Sequence, residues 1–509
     1  MGNNKANLAA NFAGRGWTAL LSIALVPLYL RYLGLEGYGL IGFFITLQAA
    51  VGLVDFGLTT SVNRELARRS IEPESAASTR DLVRTLEIGY FAIGLSTGVL
   101  IALAAPFVAA HWINKTAVIS PASVTRSVRL MGLVFACQWP ISFYGGGLLG
   151  LQHQVLLNSI NVVSATLKGI GAILILKFVS PTVEAFLWWQ AIVSLAQAYC
   201  VRYALWHMLP LRDHKARFTL SSITQIWAFA SSLAAMAAIS LFLQQMDKIV
   251  LSAIVPLGLF GYYVLASTLS GAISIPAAPV GDTLFPIYAR LVRQNKRAEL
   301  VRQYHRGCQM IASLVFPVAS VLAWFSSPLI YAWTGSHDTA AGVARVTSML
   351  VLGTALSVPM TTLDHLQMAY GWLGPAIRVR LIGAVILLSS LYFFVPIYGI
   401  IGGAYAWICV NVAYTIIAPR FVFRKLIPEE RTRWLWQDTI VPFVAAVSIG
   451  GVLRLIILEP SRPMILIQLV VYTLVTLLGT AATTPNGRQM IRQLSVLYHS
   501  RFSKSAEGA

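Results

Sequence analysis

The sequence predicts an all-α integral membrane protein of about fourteen transmembrane helices, and three observations carry that prediction. Apolar runs of about 20 residues follow one another almost from end to end. A helix rising about 1.5 Å per residue needs that length to cross a ~30 Å hydrocarbon core. The hydrophobic share is 57% and the charged share 11%, where soluble domains carry about 25% charged residues. Lys and Arg outnumber Asp and Glu by 38 to 19 and gather in alternate gaps between the runs. A chain of 509 residues would make three or four soluble domains, but no polar stretch here is long enough to fold alone. One large helical bundle is expected instead.

The expected spans are 11–31, 38–62, 86–110, 127–150, 155–177, 182–206, 224–254, 258–288, 307–333, 344–369, 377–395, 398–419, 437–457 and 463–483. The first follows Lys5, contains Arg15 near its start, and is read as a retained span, since no small-residue cleavage site follows it. The seventh, eighth and ninth are the longest, and a tilt accommodates them. Close breaks at Gly371–Gly374 and Pro396–Gly399 leave 12 or 13 spans as alternatives. Trp112, Trp188, Trp189, Trp206 and Trp372 fall near span ends, where indole rings anchor a helix at the interface.

Of the 38 basic residues, Arg15, Lys168 and Lys248 fall well inside spans, and the rest, in gaps or at span ends, divide 27 to 8 between the two sides. The richer side holds Arg64, Arg68, Arg69, Arg80 and Arg84, then Arg290 to Arg306, then Arg420 to Arg433, and the tail. Basic loops stay in the cytoplasm, so both termini are expected there, in a bacterial inner membrane. The net charge of +19 follows from this bias. Nucleic acid is excluded as a partner because the cations are scattered among loops, whereas anionic lipid headgroups would meet them. Cys137, Cys200, Cys308 and Cys409 lie in or beside apolar runs without CxxC spacing, as packing residues do.

A faint repeat organises the chain. Leu33-Gly-Leu-Glu-Gly-Tyr-Gly-Leu40 opens the second span and Leu257-Gly-Leu-Phe-Gly-Tyr-Tyr-Val264 opens the eighth. Six spans separate the copies, an even offset, so parallel repeats about an axis along the membrane normal are expected. The chain then divides into an N-terminal six-helix lobe (1–209), a C-terminal six-helix lobe (220–425), an additional helix pair (434–485) and a basic tail (486–509), with a basic linker near 210–219.

The first ~70 residues carry a family resemblance. Pro27-Leu-Tyr-Leu-Arg-Tyr-Leu-Gly34, Gly37-Tyr-Gly39, Val51-Gly-Leu-Val-Asp-Phe-Gly-Leu58 and Asn63-Arg-Glu-Leu-Ala-Arg68 resemble the opening of bacterial polysaccharide transporters. These are the O-antigen and exopolysaccharide flippases of the multidrug/oligosaccharidyl-lipid/polysaccharide (MOP) exporter superfamily. Gln245-Met-Asp-Lys248 and Gly261-Tyr-Tyr263 are similar to that family's second lobe. The resemblance implies a MATE/MOP-like fold of two pseudo-symmetric lobes. It also implies alternating-access translocation of an undecaprenyl-diphosphate-linked oligosaccharide to the outer leaflet, beside polysaccharide polymerase and export machinery. The extra helix pair departs from a plain 12-span plan and resembles the lipid II flippase branch.

A charge that persists at membrane depth usually faces a cavity or a partner. A diphosphate headgroup needs a cation along its path, and Arg15, Lys168 and Lys248 are the candidates inside spans, with Arg64 at the inner mouth. Snorkelling or an internal ion pair is the competing reading for each. Gln138, Gln244 and Gln245, with Tyr144, suit sugar contacts or polar packing between helices. Asp55, Asp247, Asp282 and Asp364 are candidates for a coupling proton or sodium ion. Pairing with loop arginines such as Arg64 or Arg290 is the structural alternative for Asp55, Asp282 and Asp364.

No catalytic residue, resident cofactor or metal is expected. GxxxxGK[ST] and HExxH are missing, and the eight histidines are dispersed. A membrane polymerase or glycosyltransferase would expose an outside loop with catalytic acids, and the longest outside segment, near His111–Arg126, holds none. A multidrug or metabolite antiporter of the same superfamily would need an acidic or apolar cavity. A non-transporting scaffold would tolerate loss of Lys168.

Overall fold

In hydrocarbon every backbone N–H and C=O must find its partner within the segment that crosses, so helices are the expected solution. The computed structural model describes residues 14–55, 57–70, 76–113, 118–210, 216–219, 238–456, 461–489 and 492–493. Side chains 53, 54, 282 and 373 also lie outside the description. The fold is all-α, with no strand among the described residues. Nine described helices are long and apolar enough to span a membrane, and Leu257–Ala272 is a shorter apolar helix. The figure of about fourteen stays an expectation. The chain divides into two compact units, Met1–Val264 and Leu265–Ala509.

The first unit opens with α1 (14–24), which Pro27 follows as α2 (Val26–Val51) begins. Within α2 the chain turns over Gly34 at φ +68°, so one glycine replaces the expected loop between the first two spans. The second span ends sooner than expected. A 3-10 turn (Gly52–Asp55) follows, Gly57 stands at φ +72°, and α3 (Leu58–Arg69) starts afresh. Asp55 stabilises this restart by accepting from the Thr59 amide at 3.3 Å and the Thr59 hydroxyl at 2.7 Å.

Helix α4 (Ala76–Phe107) begins ten residues before the expected 86, so Arg80 and Arg84 stand on a helix rather than a loop. It continues as a π turn to Trp112. Helix α5 (Pro121–Gly150) is capped by Ser120, whose hydroxyl accepts from the Ser123 amide. The fifth span is α6 (Gln154–Thr166), a π-helical stretch Leu167–Gly171, and α7 (Ala172–Phe178). Then come α8 (Val183–Met208), α9 (238–254) and the first half of α10 (Leu257–Ala272). Helix α5 packs on α3, α4 and α8, and their shared core holds Leu66, Leu82, Tyr90, Phe143, Tyr144, Leu148 and Leu205. Phe91, Leu95, Leu100 and Leu103 on α4 are exposed, as suits a lipid-facing surface.

In the second unit the expected long eighth span is broken. Turns at 273–277 beside Pro276 separate α10 from α11 (Ala278–Arg293), because proline removes a backbone donor and crowds the preceding turn. The ninth divides at Phe325 into α12 (Arg297–Trp324) and α13 (Ser326–Thr334). The tenth divides at Pro359 into α14 (His337–Ser357) and α15 (Thr361–Ala369). Gly371 at φ +65° and Gly399 at φ +57° set α16 (Leu373–Tyr398) apart from its neighbours, so the two breaks in this region are true helix ends. Helix α17 (Ile400–Lys425) packs on α14 and α16.

The C-terminal pair starts with one turn, α18 (Arg431–Arg433). A π-helical Trp434–Ile440 leads into α19 (Val441–Leu453), and α20 (Arg462–Thr483) follows. Both long helices pack on α12. One core joins Val321 and Phe325 to Ile465, Leu469 and Tyr472; another brings Ala446 against Val315 and Phe316.

Candidate functional site

Polar side chains inside apolar helices are the place to look, and in the first unit they form a seam along α8. Gln190, Ser194 and Gln197 recur at helical spacing and are all buried. Gln138 of α5 donates to the Ser194 hydroxyl at 3.0 Å and receives the amide of Gln48 from α2. The Gln190 amide donates to the Lys168 carbonyl at 3.1 Å. Gln197 donates to Asn161 at 3.1 Å and accepts from the Lys168 ammonium at 2.9 Å.

Lys168 sits in the π-helical stretch, where one extra residue per turn frees a carbonyl; the Leu167 carbonyl accepts from the Trp189 indole at 2.7 Å. The ammonium is half-buried, and among the described residues no carboxylate lies within ion-pair distance of it. An ammonium has three donors and Gln197 takes one. This is therefore a cation held at membrane depth by a neutral amide, with capacity left for an anion. Helix α1 and the start of α2 lie alongside: the Trp17 indole donates to Thr166 at 2.8 Å, and the Tyr29 hydroxyl of α2 donates to the Gly169 carbonyl at 3.3 Å. Arg15 stands exposed on α1.

The other expected cations are placed differently. Lys248 lies 3.5 Å from Asp247 Oδ1 and donates to the Gln244 carbonyl at 3.1 Å, so it has a local counter-charge. Neighbouring residues on a helix point about 100° apart, yet the long lysine stem closes that gap. Gln244 is exposed and Gln245 half-buried on the same helix. Arg64 is exposed on α3. Beside it Glu65 accepts from Arg68 and Arg69, each at 2.7 Å. The Arg68 hydrogen bond, opposed by partial burial and helped by Arg69, holds the Glu65 carboxyl below its usual value.

The acids are capped by tyrosines. Asp55 accepts from Tyr90 at 2.5 Å, and buried Asp247 accepts from Tyr263 at 2.6 Å. Asp364 accepts from Tyr414 at 2.7 Å and from Arg380 at 3.2 Å. Asp364 pairs with Arg380 of α16, while Asp55 finds a phenol and a threonine. The Asp282 side chain lies outside the described residues.

Sequence reasoning passes over Glu87. It is 1% exposed and accepts from Tyr144 at 2.6 Å, Arg202 and Arg84 at 2.7 Å each, and the Trp206 indole at 3.1 Å. Arg84 stands three residues before it, an i,i+3 spacing that would have revealed the pair had α4 been started at 76. The seam itself was visible as the spacing of Gln190, Ser194 and Gln197. In the second unit the overlooked group is His305 with Asp438 and Glu430.

Comparison with known proteins adds the following. Residues 5–292 match the family described as polysaccharide biosynthesis protein. A Shigella flexneri protein, provisionally described as an O-antigen transporter, is 22% identical over 418 residues, covering 79% of this chain and 93% of its own length. Among solved structures, the lipid II flippase MurJ in an inward closed conformation superposes with a TM-score of 0.71 at 14% identity, over 96% of this chain and 99% of that one. An inward-facing multidrug resistance MATE family transporter of the MOP superfamily gives 0.64 at 14% identity, over 82% and 96%. The fold is thus of the MurJ and MATE type.

Proposed function

The chain belongs to the polysaccharide biosynthesis protein family, and from that premise we propose that it flips an undecaprenyl-diphosphate-linked oligosaccharide across the bacterial inner membrane. The cargo is an O-antigen, capsule or exopolysaccharide repeat unit, moved from the cytoplasmic to the outer leaflet by alternating access of two lobes, 1–209 and 220–425. The relative described as an O-antigen transporter and the likeness to a lipid II flippase favour a lipid-linked sugar cargo. Both termini lie in the cytoplasm on this reading, and polymerase or export machinery would receive the product.

The observation that carries the proposal is Lys168, a half-buried ammonium without a carboxylate partner. A diphosphate moving through low dielectric needs such a charge, and a charge left there without a cargo would be costly. The amides and hydroxyl of Asn161, Gln138, Ser194 and Gln197 offer donors and acceptors for sugar hydroxyls beside it. Asp55, Asp247 and Asp364 each accept from a tyrosine. These acids are the candidates for a coupling proton or sodium ion.

The test uses a strain lacking the chromosomal copy, complemented with K168A, K168Q or K168R after insertion is verified. The expected outcome is loss of surface glycan with accumulation of lipid-linked sugar for K168A and K168Q, and partial export for K168R. Normal export by K168A would refute the role of Lys168.

A further inference from the structure

We propose that His305, Asp438 and Glu430 form a buried proton-binding site that fastens the C-terminal helix pair to α12. His305 is 2% exposed and Asp438 1%. The imidazole Nδ1 faces Asp438 Oδ2, and Nε2 lies 2.9 Å from Glu430 Oε2. The site therefore joins α12 to the turn Pro428–Glu430 and to the π-helical Trp434–Ile440, and it does not rest on the transport reading.

The proton count follows from the hydrogen-bond directions. A neutral imidazole carries one N–H, and its other nitrogen is a lone pair. Two nitrogen–carboxylate contacts need two protons, so the triad holds one proton more than a neutral histidine and two carboxylates. Its location can be deduced. The backbone N–H of Asn486 donates to Gln309 Oε1 at 3.1 Å, which fixes the orientation of that amide. The Asn486 side-chain amide donates to the same oxygen at 2.8 Å. The NH2 of Gln309 must then donate to Asp438 Oδ1, at 2.8 Å, so Asp438 already acts as acceptor. Arg433 stands 3.7 Å from Glu430. Both carboxylates thus have a donor or a cation of their own, which places the extra proton on the imidazole. Imidazolium and guanidinium together balance two carboxylates, and a closed neutral network of this kind is what burial tolerates.

Other titratable groups around the site are uncharged as thiol or phenol. Tyr304 lies edge-on at 5.7 Å and Cys308 one turn along α12; Tyr288 of α11 contacts Tyr304. Phe423 of α17 and buried Trp434 close the wall. The carboxylates take opposite edges of the ring, so the three donors do not converge, and among the described residues no His/Cys/Asp/Glu group could hold a metal ion. Removing the proton would set a nitrogen lone pair against a carboxylate in a buried place, and separation of 428–440 from α12 would relieve it.

The experiment uses the full chain in lipid nanodiscs with 15N-labelled histidine. With eight histidines in the chain, the signal lost in H305Q identifies this one. The expected result is an imidazole with both nitrogens protonated at neutral pH, and amide exchange across 434–440 faster by about tenfold or more in H305Q. A neutral tautomer at that position, or unchanged exchange, would overturn the proposal. Should H305Q not fold, E430Q at the half-exposed edge of the site serves instead. It is expected to convert the signal to a singly protonated ring, and an unaltered doubly protonated ring would overturn the claim equally.

Discussion

Glu87 shows how much a single residue can hide from a reading by hydropathy. An acid at the start of an apolar run looks like a loop residue, yet burial of its carboxylate is made tolerable by four donors. Lys168 was legible for the opposite reason: no interface was near enough in sequence to explain it. What the sequence could not supply was the partner that each finds on another helix, Gln197 for Lys168 and Arg202 for Glu87. The network sets an order of effects. Removing one partner of a fully buried pair costs about 3–5 kcal/mol. Here Arg84 and Arg202 are 44% and 41% exposed and stay solvated, so E87Q should cost less, about 1–3 kcal/mol. Y144F, which removes one neutral donor, should cost about 0.5–1.5 kcal/mol. Thermal unfolding in detergent would check the ranking, and a larger loss for Y144F would contradict it. At Glu65 the carboxyl lies below its unfolded value, with the Arg68 hydrogen bond as the largest cause. Its stabilising contribution is present above the unfolded value and disappears as pH falls through the folded one. Protection of the α3 amides, taken relative to their intrinsic exchange rate at each pH, should therefore fall on acidification in the wild type, and E65Q should lack that step.

Among the elements, hydropathy located the apolar runs and overlooked where they break. Helical length is a sum over side chains, whereas the breaks at 34, 52–55, 273–277 and 325 depend on one or two residues. Gly34 needs positive φ, and Pro276 cannot donate. The repeated segment gains a physical meaning here. A Cβ on Gly39 would collide with the Leu257 carbonyl, and one on Gly261 with the Leu35 carbonyl, so the two copies lie backbone to backbone across α2 and α10. The backbone cannot yield as a flexible side chain does. G261A should thus destabilise by about 1–3 kcal/mol, as overpacking does. Gly258 meets only the Glu36 side chain at 3.8 Å, so G258A should be neutral or slightly stabilising through helix propensity. Equal melting temperatures for the two variants would remove the close crossing from the account.

For the whole molecule, charge asymmetry is the strongest signal that the chain carries, and it is a property no single helix owns. The 27-to-8 division is the ground for expecting residues 290–306 and 420–433 in the cytoplasm with both termini. The helix ends are compatible with that assignment in each unit: α11 ends at Arg293, just before α12 begins at Arg297, and α17 ends at Lys425 before the turn into α18. The same bias is expected of the C-terminal pair: Arg454 and Arg462 flank its outer connection, against Arg488, Arg492, Arg501 and Lys504 after α20. Reporter fusions measure this directly. Fusions after residues 214, 296 and 490 should report cytoplasm, and fusions after 118 and 461 periplasm. The position after 296 is the most informative, because six basic residues surround it between Arg290 and Arg306. A periplasmic signal there would mean that the loop translocates against its charge, and the inward placement of both termini would fall with it. A periplasmic signal after 490 alone would instead point to an odd number of spans between those positions, which is the consequence if only one of α19 and α20 crosses.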